Sequence, residues 1–241
     1  MQTKTYSPRI ERGLTKLIVP HEPEGSSKVF VYPSIGPNNY LQVGREILKQ
    51  NYKLPEANET ASLLHAAYCS EIKDEPEFQN VREIMRNRWL WIFNQNLWTD
   101  KGLYVIEDQK IKGLSEKLTI SNLEKKLSGG TKIKGTNVRI SKEGKIRFAP
   151  NDSDTYLLGE QTADQLKIND ILIAQYLKEG AEKLGEIAAQ FKNNSFVYGL
   201  DISEGQNPEL RVSAVDDGGG GLRVDGDGFD YDRDGHAFGV L

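Results

Sequence analysis

Asp216-Asp-Gly-Gly-Gly-Gly-Leu-Arg-Val-Asp-Gly-Asp-Gly-Phe-Asp-Tyr-Asp-Arg-Asp-Gly-His-Ala-Phe-Gly-Val-Leu241 closes a chain of 241 residues. These 26 residues hold seven Asp and two Arg, with no Lys and no Glu, and so carry −7 + 2 = −5. The whole chain carries −4, so the other 215 residues sum to about +1. The acidity of the protein belongs to its end, as do eight of its 23 glycines.

Two ordinary chemistries can be weighed against this stretch. Gly218–Gly221 is not a phosphate loop, because no Gly-Lys-Ser/Thr follows it and Leu222 opens no evident helix. Asp230-Tyr-Asp232-Arg-Asp234-Gly235 has the D-x-D-x-D-G opening of a calcium loop. The twelfth position, where a bidentate carboxylate should close the shell, is Leu241. Asp230, Asp232 and Asp234 therefore stand as an alternative calcium set only, and no other cofactor is expected.

The composition of the stretch is more telling. Lys, Glu, Gln, Met and Trp make up about one residue in four before Asp216 and none of the 26 from there on. A solvated acidic loop would draw on the abundant Lys and Glu of this chain. The genetic code separates them instead. Randomising the adenines of the Asn codons AAT and AAC yields Asp, Gly, Tyr, His, Arg, Val, Leu, Phe and Ala among others. It never yields Lys, Glu, Gln, Met, Trp or a stop. Every residue from Asp216 to Leu241 lies in the reachable set.

On these residues, and on the closing Phe238-Gly239-Val240, the chain resembles the variable proteins of diversity-generating retroelements. In that family a reverse transcriptase copies a template repeat with errors at adenines, and the product replaces the 3′ end of the target gene. The resemblance implies an α+β, C-type lectin-like fold with short antiparallel strands and flanking helices, in which an N-terminal strand pairs near the C-terminal one. It also implies a binding function rather than catalysis, with a varied macromolecular ligand, in the first place a protein. The resemblance covers residues 28–108 and 195–241, and 109–192 has no counterpart in it. The expected organisation is an N-terminal arm over 1–27 and one domain over 28–241. Within that domain 109–192 is an inserted subdomain and 216–236 the variable segment. Expected varied positions are Asp217, Gly218, Gly220, Asp225, Asp227, Asp230, Tyr231, Asp232, Asp234 and His236. Phe229, Arg233, Phe238 and Val240 are expected anchors, with Arg233 held between Asp232 and Asp234. A ligand of this acidic copy is expected to present positive charge.

The body of the chain can be read from periodicity. Pro8, Pro20 and Pro23 break residues 1–27 into an irregular arm with room for one short strand. Lys28–Tyr32 reads as a strand stopped by Pro33. Helical spacing follows over 38–50, with Asn38 or Asn39 as N-cap, over 58–70, and over 76–95, which reaches Ile92. Trp89, Trp91 and Trp98 are core by default. Gly102–Ile106 is a strand, 138–148 a hairpin turning at Gly144, and Thr162–Lys192 one long amphipathic helix. Ser195–Leu200, Leu210–Val215 and the closing His236–Leu241 read as strands.

Composition excludes several classes. There is no basic stripe to meet phosphates, so no nucleic acid is expected. Cys69 is alone and can form no internal disulfide. The N-terminal residues show no secretory h-region and no apolar run spans a membrane, which makes a cytoplasmic location the default. The N-x-S/T matches at Asn58, Asn151 and Asn193 carry little weight without a leader. The i, i+4 pair His65 and Cys69 is read as helix packing rather than a nucleophile with its base.

Overall fold

The computed structural model describes residues 9–11, 16–21, 26–115 and 117–241. The chain is α+β. Strands β1 (Arg9–Glu11), β2 (Lys16–His21) and β3 (Ser26–Val31) form a small antiparallel sheet. The expected irregular arm over 1–27 falls partly outside the described residues, and its described parts are strands. After β4 (Ile35–Asn38) come α1 (Tyr40–Lys49), α2 (Ala57–Cys69) and α3 (Pro76–Asn87), then β5 (Trp89–Thr99) and β6 (Gly102–Glu107). The middle of the chain gives α4 (Ile120–Leu127), β7 (Thr131–Lys132), β8 (Arg139–Ile140), β9 (Ile146–Pro150), β10 (Gly159–Gln161), α5 (Ala163–Ile168) and α6 (Asp170–Ala188). The end supplies β11 (Ser195–Tyr198), β12 (Glu209–Asp216), β13 (Arg223–Gly228) and β14 (Gly235–Ala237).

The main sheet runs β10-β11-β13-β12-β5-β6-β9-β8-β7, with β14 joining β5 to β4. Its spine is β5, which corrects the expected helix over 76–95. The helix stops at Asn87 and the aromatic run behind it is extended. All of Leu90–Thr99 is buried, so the strand shows no polar alternation and mimics a buried helical stretch. The pairing of β5 with β12 shifts register between Gln95 and Ile92, a bulge at which β5 changes its other neighbour. Asn94–Thr99 pair with β6, whereas Trp89 and Leu90 pair with β14.

One side of the sheet packs Leu90, Ile92, Val105, Val197, Val215 and Val224 against α2, α3 and α6. The other packs Trp91, Phe93, Val212 and Ala214 against Tyr40, Val43 and Ile47 of α1. Asn39 caps α1 by accepting from the Gln42 N–H at 2.9 Å. The single helix expected over 162–192 is two helices, and the second is itself broken. Leu177 sits at φ 60°, a conformation an L side chain rarely adopts. The break frees the Gln175 carbonyl to accept from Asn94 Nδ2 at 3.0 Å.

The chain closes on its own early strand. Val31 N–H donates to Gly239 O at 2.9 Å and Leu241 N–H to Val29 O at 3.0 Å. Val240 and Lys53 exchange both backbone hydrogen bonds. Phe238 and Val240 are buried. Residues 109–192 share the architecture, since β9 extends the main sheet beside β6 and α6 packs on α2. Among the described residues no helix is long and apolar enough to cross a membrane.

Candidate ligand-binding surface

Residues 216–228 close a hairpin between β12 and β13. Strand β13 lies between β12 and β11, paired antiparallel with the first and parallel with the second. Neighbours on both sides override the poor strand propensity of Asp and Gly. Register then sorts the side chains. Val224 opposes Val215 and faces the helices, whereas Asp225 opposes Ala214 and Arg223 opposes Asp216 on the other face. The two residues of that last pair also meet through side chains, with Arg223 Nε donating to Asp216 Oδ1 at 2.6 Å. Next along, Gly226 is buried. A Cβ there would lie 2.7 Å from Gln175 Nε2 and 2.9 Å from the Trp98 ring, so this position admits no side chain.

The hairpin turn is organised by Asp217, which is only 2 % exposed. Its carboxylate accepts from Tyr68 Oη and from the Gly219 N–H at 2.9 Å, and its backbone N–H donates to Met85 O. Burial and this bond push the Tyr68 hydroxyl far above its ordinary range. Asp217 therefore does not share the outer surface with the other candidates. Gly218 and Gly219, both at positive φ, are exposed at the tip, and Gly220 is half-buried beside them.

After β13 the chain folds over the end of the sheet. Phe229 stacks on Tyr231 with centroids 5.0 Å apart, and the Arg211 guanidinium lies 4.6 Å from the Phe229 centroid. Phe229 is thus held from one side while still exposed. Asp230 turns inward and accepts from the Leu114 N–H at 2.9 Å. Asp234 reaches Arg88 at 3.6 Å rather than Arg233, which stands exposed. His236 Nδ1 is 3.1 Å from Ser34 Oγ, and burial holds its pKa below the ordinary histidine value. The three aspartates of the calcium alternative thus have divergent surroundings. Among the described residues no group of three or more His, Cys, Asp or Glu could hold a metal ion. Gly235 lies against two indole edges, and a Cβ there would collide with Trp91 Nε1 and lie 2.5 Å from Trp89 Nε1.

Between this segment and the sheet is a cavity of about 90 Å³ lined by Trp89, Trp91, Ala214, Asp216, Asp225, Gly228 and Asp232. The two indoles meet edge to face at 5.6 Å. Burial pushes Asp225 up to about 7, and the neighbouring Asp227 carboxylate adds to the shift. Burial also raises Asp232 and Asp216, the latter offset by Arg223.

The same face carries residues that composition did not single out. Phe196 and Tyr198 of β11 flank the inward Val197, are each 37 % exposed, and pack on each other at 4.3 Å. Their signal was the alternation Ser195-Phe-Val-Tyr198, which hides Ser and Val and shows both rings. Trp89 was read only as core, yet its side chain lines the cavity. Elsewhere, His65 Nε2 meets Glu186 Oε2 at 2.6 Å, and burial raises the Cys69 thiol to about 11. That thiol stays protonated and unreactive at neutral pH, which agrees with its reading as packing.

No family model matches this chain, and no curated protein matches it. Among solved structures it is similar to one described as "Accommodation of massive sequence variation in Nanoarchaeota by the C-type lectin fold", at 13% identity with a TM-score of 0.45, over 85% of this chain and 94% of that chain.

Proposed function

We propose that this chain is a C-type lectin-like binding protein rather than an enzyme, and that a retroelement diversifies its C-terminal surface to recognise varied protein ligands. Residues 28–241 form the binding domain, 109–192 are an insertion that buttresses the sheet, and 216–236 supply the replaceable positions. The observation that carries this reading is the coincidence of two independent patterns. The segment restricted to products of Asn codons is also the segment whose outward side chains share one open face. Arg223, Asp225, Asp227, Tyr231 and Asp232 project from that face or rim it, while Leu222 and Val224 hold the backbone from behind. A scaffold of this kind presents changeable side chains without touching its own core.

The geometry supports a division of these positions into two sets. Asp217 is buried against Tyr68 and Asp230 accepts from the Leu114 N–H, so both tie the segment to distant parts of the chain and serve the frame, whereas the Asp225 carboxylate accepts only from the Asp227 N–H within its own strand. Gly220, Arg223, Asp225, Asp227, Tyr231, Asp232, Arg233, Asp234 and His236 are the replaceable set, with Phe196 and Tyr198 as fixed aromatic neighbours, while Gly218 at positive φ keeps the turn. The gene tests this. The nucleotides encoding 216–241 should recur nearby as a near-copy that differs at adenines, beside a reverse transcriptase gene. A genome with neither would remove the reading.

A further inference from the structure

We infer that this copy of the surface docks a basic segment of a partner protein, and that one Lys or Arg side chain of the partner enters the cavity between Trp89, Trp91, Asp225 and Asp232. The inference rests on the binding role proposed above and names the chemistry of its ligand. Asp216 is paired with Arg223, and Asp234 lies 3.6 Å from Arg88. Asp225 and Asp232 have no cationic partner among the described residues, although both line the cavity. A half-buried carboxylate without a counter-ion is costly, and a cation brought by a ligand removes that cost. Burial and the neighbouring Asp227 carboxylate both disfavour the ionised form of Asp225, and a cation seated beside it would favour that form.

Size and walls select the kind of cation. Pockets that enclose a whole drug-sized ligand measure roughly 300–1,000 Å³. At about 90 Å³ the cavity admits only the end of a side chain. Two indoles line it, and aromatic faces attract ammonium and guanidinium groups, most strongly when these are desolvated. On the same face, Phe196 and Tyr198 are in register with Arg223 and Asp225, and Phe229 and Tyr231 follow Gly228 in the chain, each ring at least 37 % exposed. Rigid aromatic rings around a charged centre are the usual make-up of a protein-binding patch. A basic peptide meets both features, with the stem of its Lys or Arg against the rings and its charge on Asp225.

The full chain can be tested with n-butylguanidinium, with n-butanol as its uncharged counterpart, at pH 8 where Asp225 is ionised. The indole N–H resonances of Trp89 and Trp91 should shift saturably with butylguanidinium and not with butanol. Asp225→Asn should weaken the apparent affinity roughly tenfold, as expected for loss of a charged hydrogen-bond partner. Asp154→Asn, at an exposed position elsewhere, should leave it unchanged. Trp89→Leu, checked for an intact melting transition, should also weaken binding. Shifts that fail to saturate, equal response to butanol, or unaltered binding by Asp225→Asn would overturn the inference. None of those results touches the adenine pattern in the gene, so the cavity and the diversification reading fail separately.

Discussion

The two faces of strand β13 live under opposite constraints. Inward, Val224 packs on Val215 and Gly226 lies against Trp98 and Gln175, with no room for an added atom. Outward, Arg223, Asp225 and Asp227 meet an open face and one small cavity. The residues alternate along six positions of one strand. A segment can therefore be both structural and replaceable, because a period of two assigns the tasks to different side chains. The same division continues past the strand, where Gly235 and Phe238 are locked while Tyr231 and Arg233 are free.

Substitutions should separate the two sets by magnitude. Phe238→Ala would leave a cavity under the closing strand and should cost about 3–5 kcal/mol in denaturant unfolding. Gly226→Ala forces a methyl against Trp98 and Gln175 and should cost about 1–3 kcal/mol. Asp217→Ala strands the Tyr68 hydroxyl and the Gly219 N–H and should cost about 1–3 kcal/mol, although the residue belongs to the Asp-rich run. Asp227→Tyr and Tyr231→Ser should change stability by no more than about 0.5 kcal/mol. A large loss in either of the last two would show that the outward side chains also hold the fold.

Titration gives a subtler test. The folded pKa of Asp225 is raised to about 7, above its unfolded value near 3.8. Protonated Asp225 therefore favours the fold. That stability is fully present below about pH 4 and is lost as pH rises through 7. The charged groups around it are Asp227, Asp216 with Arg223, and Asp232, with the Tyr176 hydroxyl behind the strand. Asp225→Asn should raise the melting temperature relative to the parent at pH 8 and not at pH 4. Equal effects at both would contradict the burial of this carboxylate.

Much of the frame was legible in sequence. The cap at Asn39, the helices α1 and α2 and the strands around Lys28 and Gly102 carry local signals that tertiary structure did not overrule. Three features were hidden for physical reasons. Strand β5 is buried on both faces, so its apolar run Trp89–Phe93 lacks the alternation that marks a strand, and Ile92 falls at helical spacing from Met85 and Ile84 of α3. The break at Leu177 has no Gly or Pro to announce it. Strand β13 owes its form to β11 and β12 rather than to its own Asp and Gly. The candidate surface was half legible. Codon restriction marked the segment, but it could not tell Asp225 from Asp217, because Asp217 is fixed by Tyr68, a partner 149 residues away in sequence.

The most direct test is a library in which codons 222–238 are replaced one at a time by NNY mixtures, the set that randomised Asn codons encode, and folded protein is scored by protease resistance. Positions 223, 225, 227, 231, 232, 233, 234 and 236 should accept nearly every product, while 222, 224, 226, 235 and 238 should keep their present residue or its nearest equivalent in size. Uniform tolerance along the segment, or intolerance at the outward positions, would contradict this division.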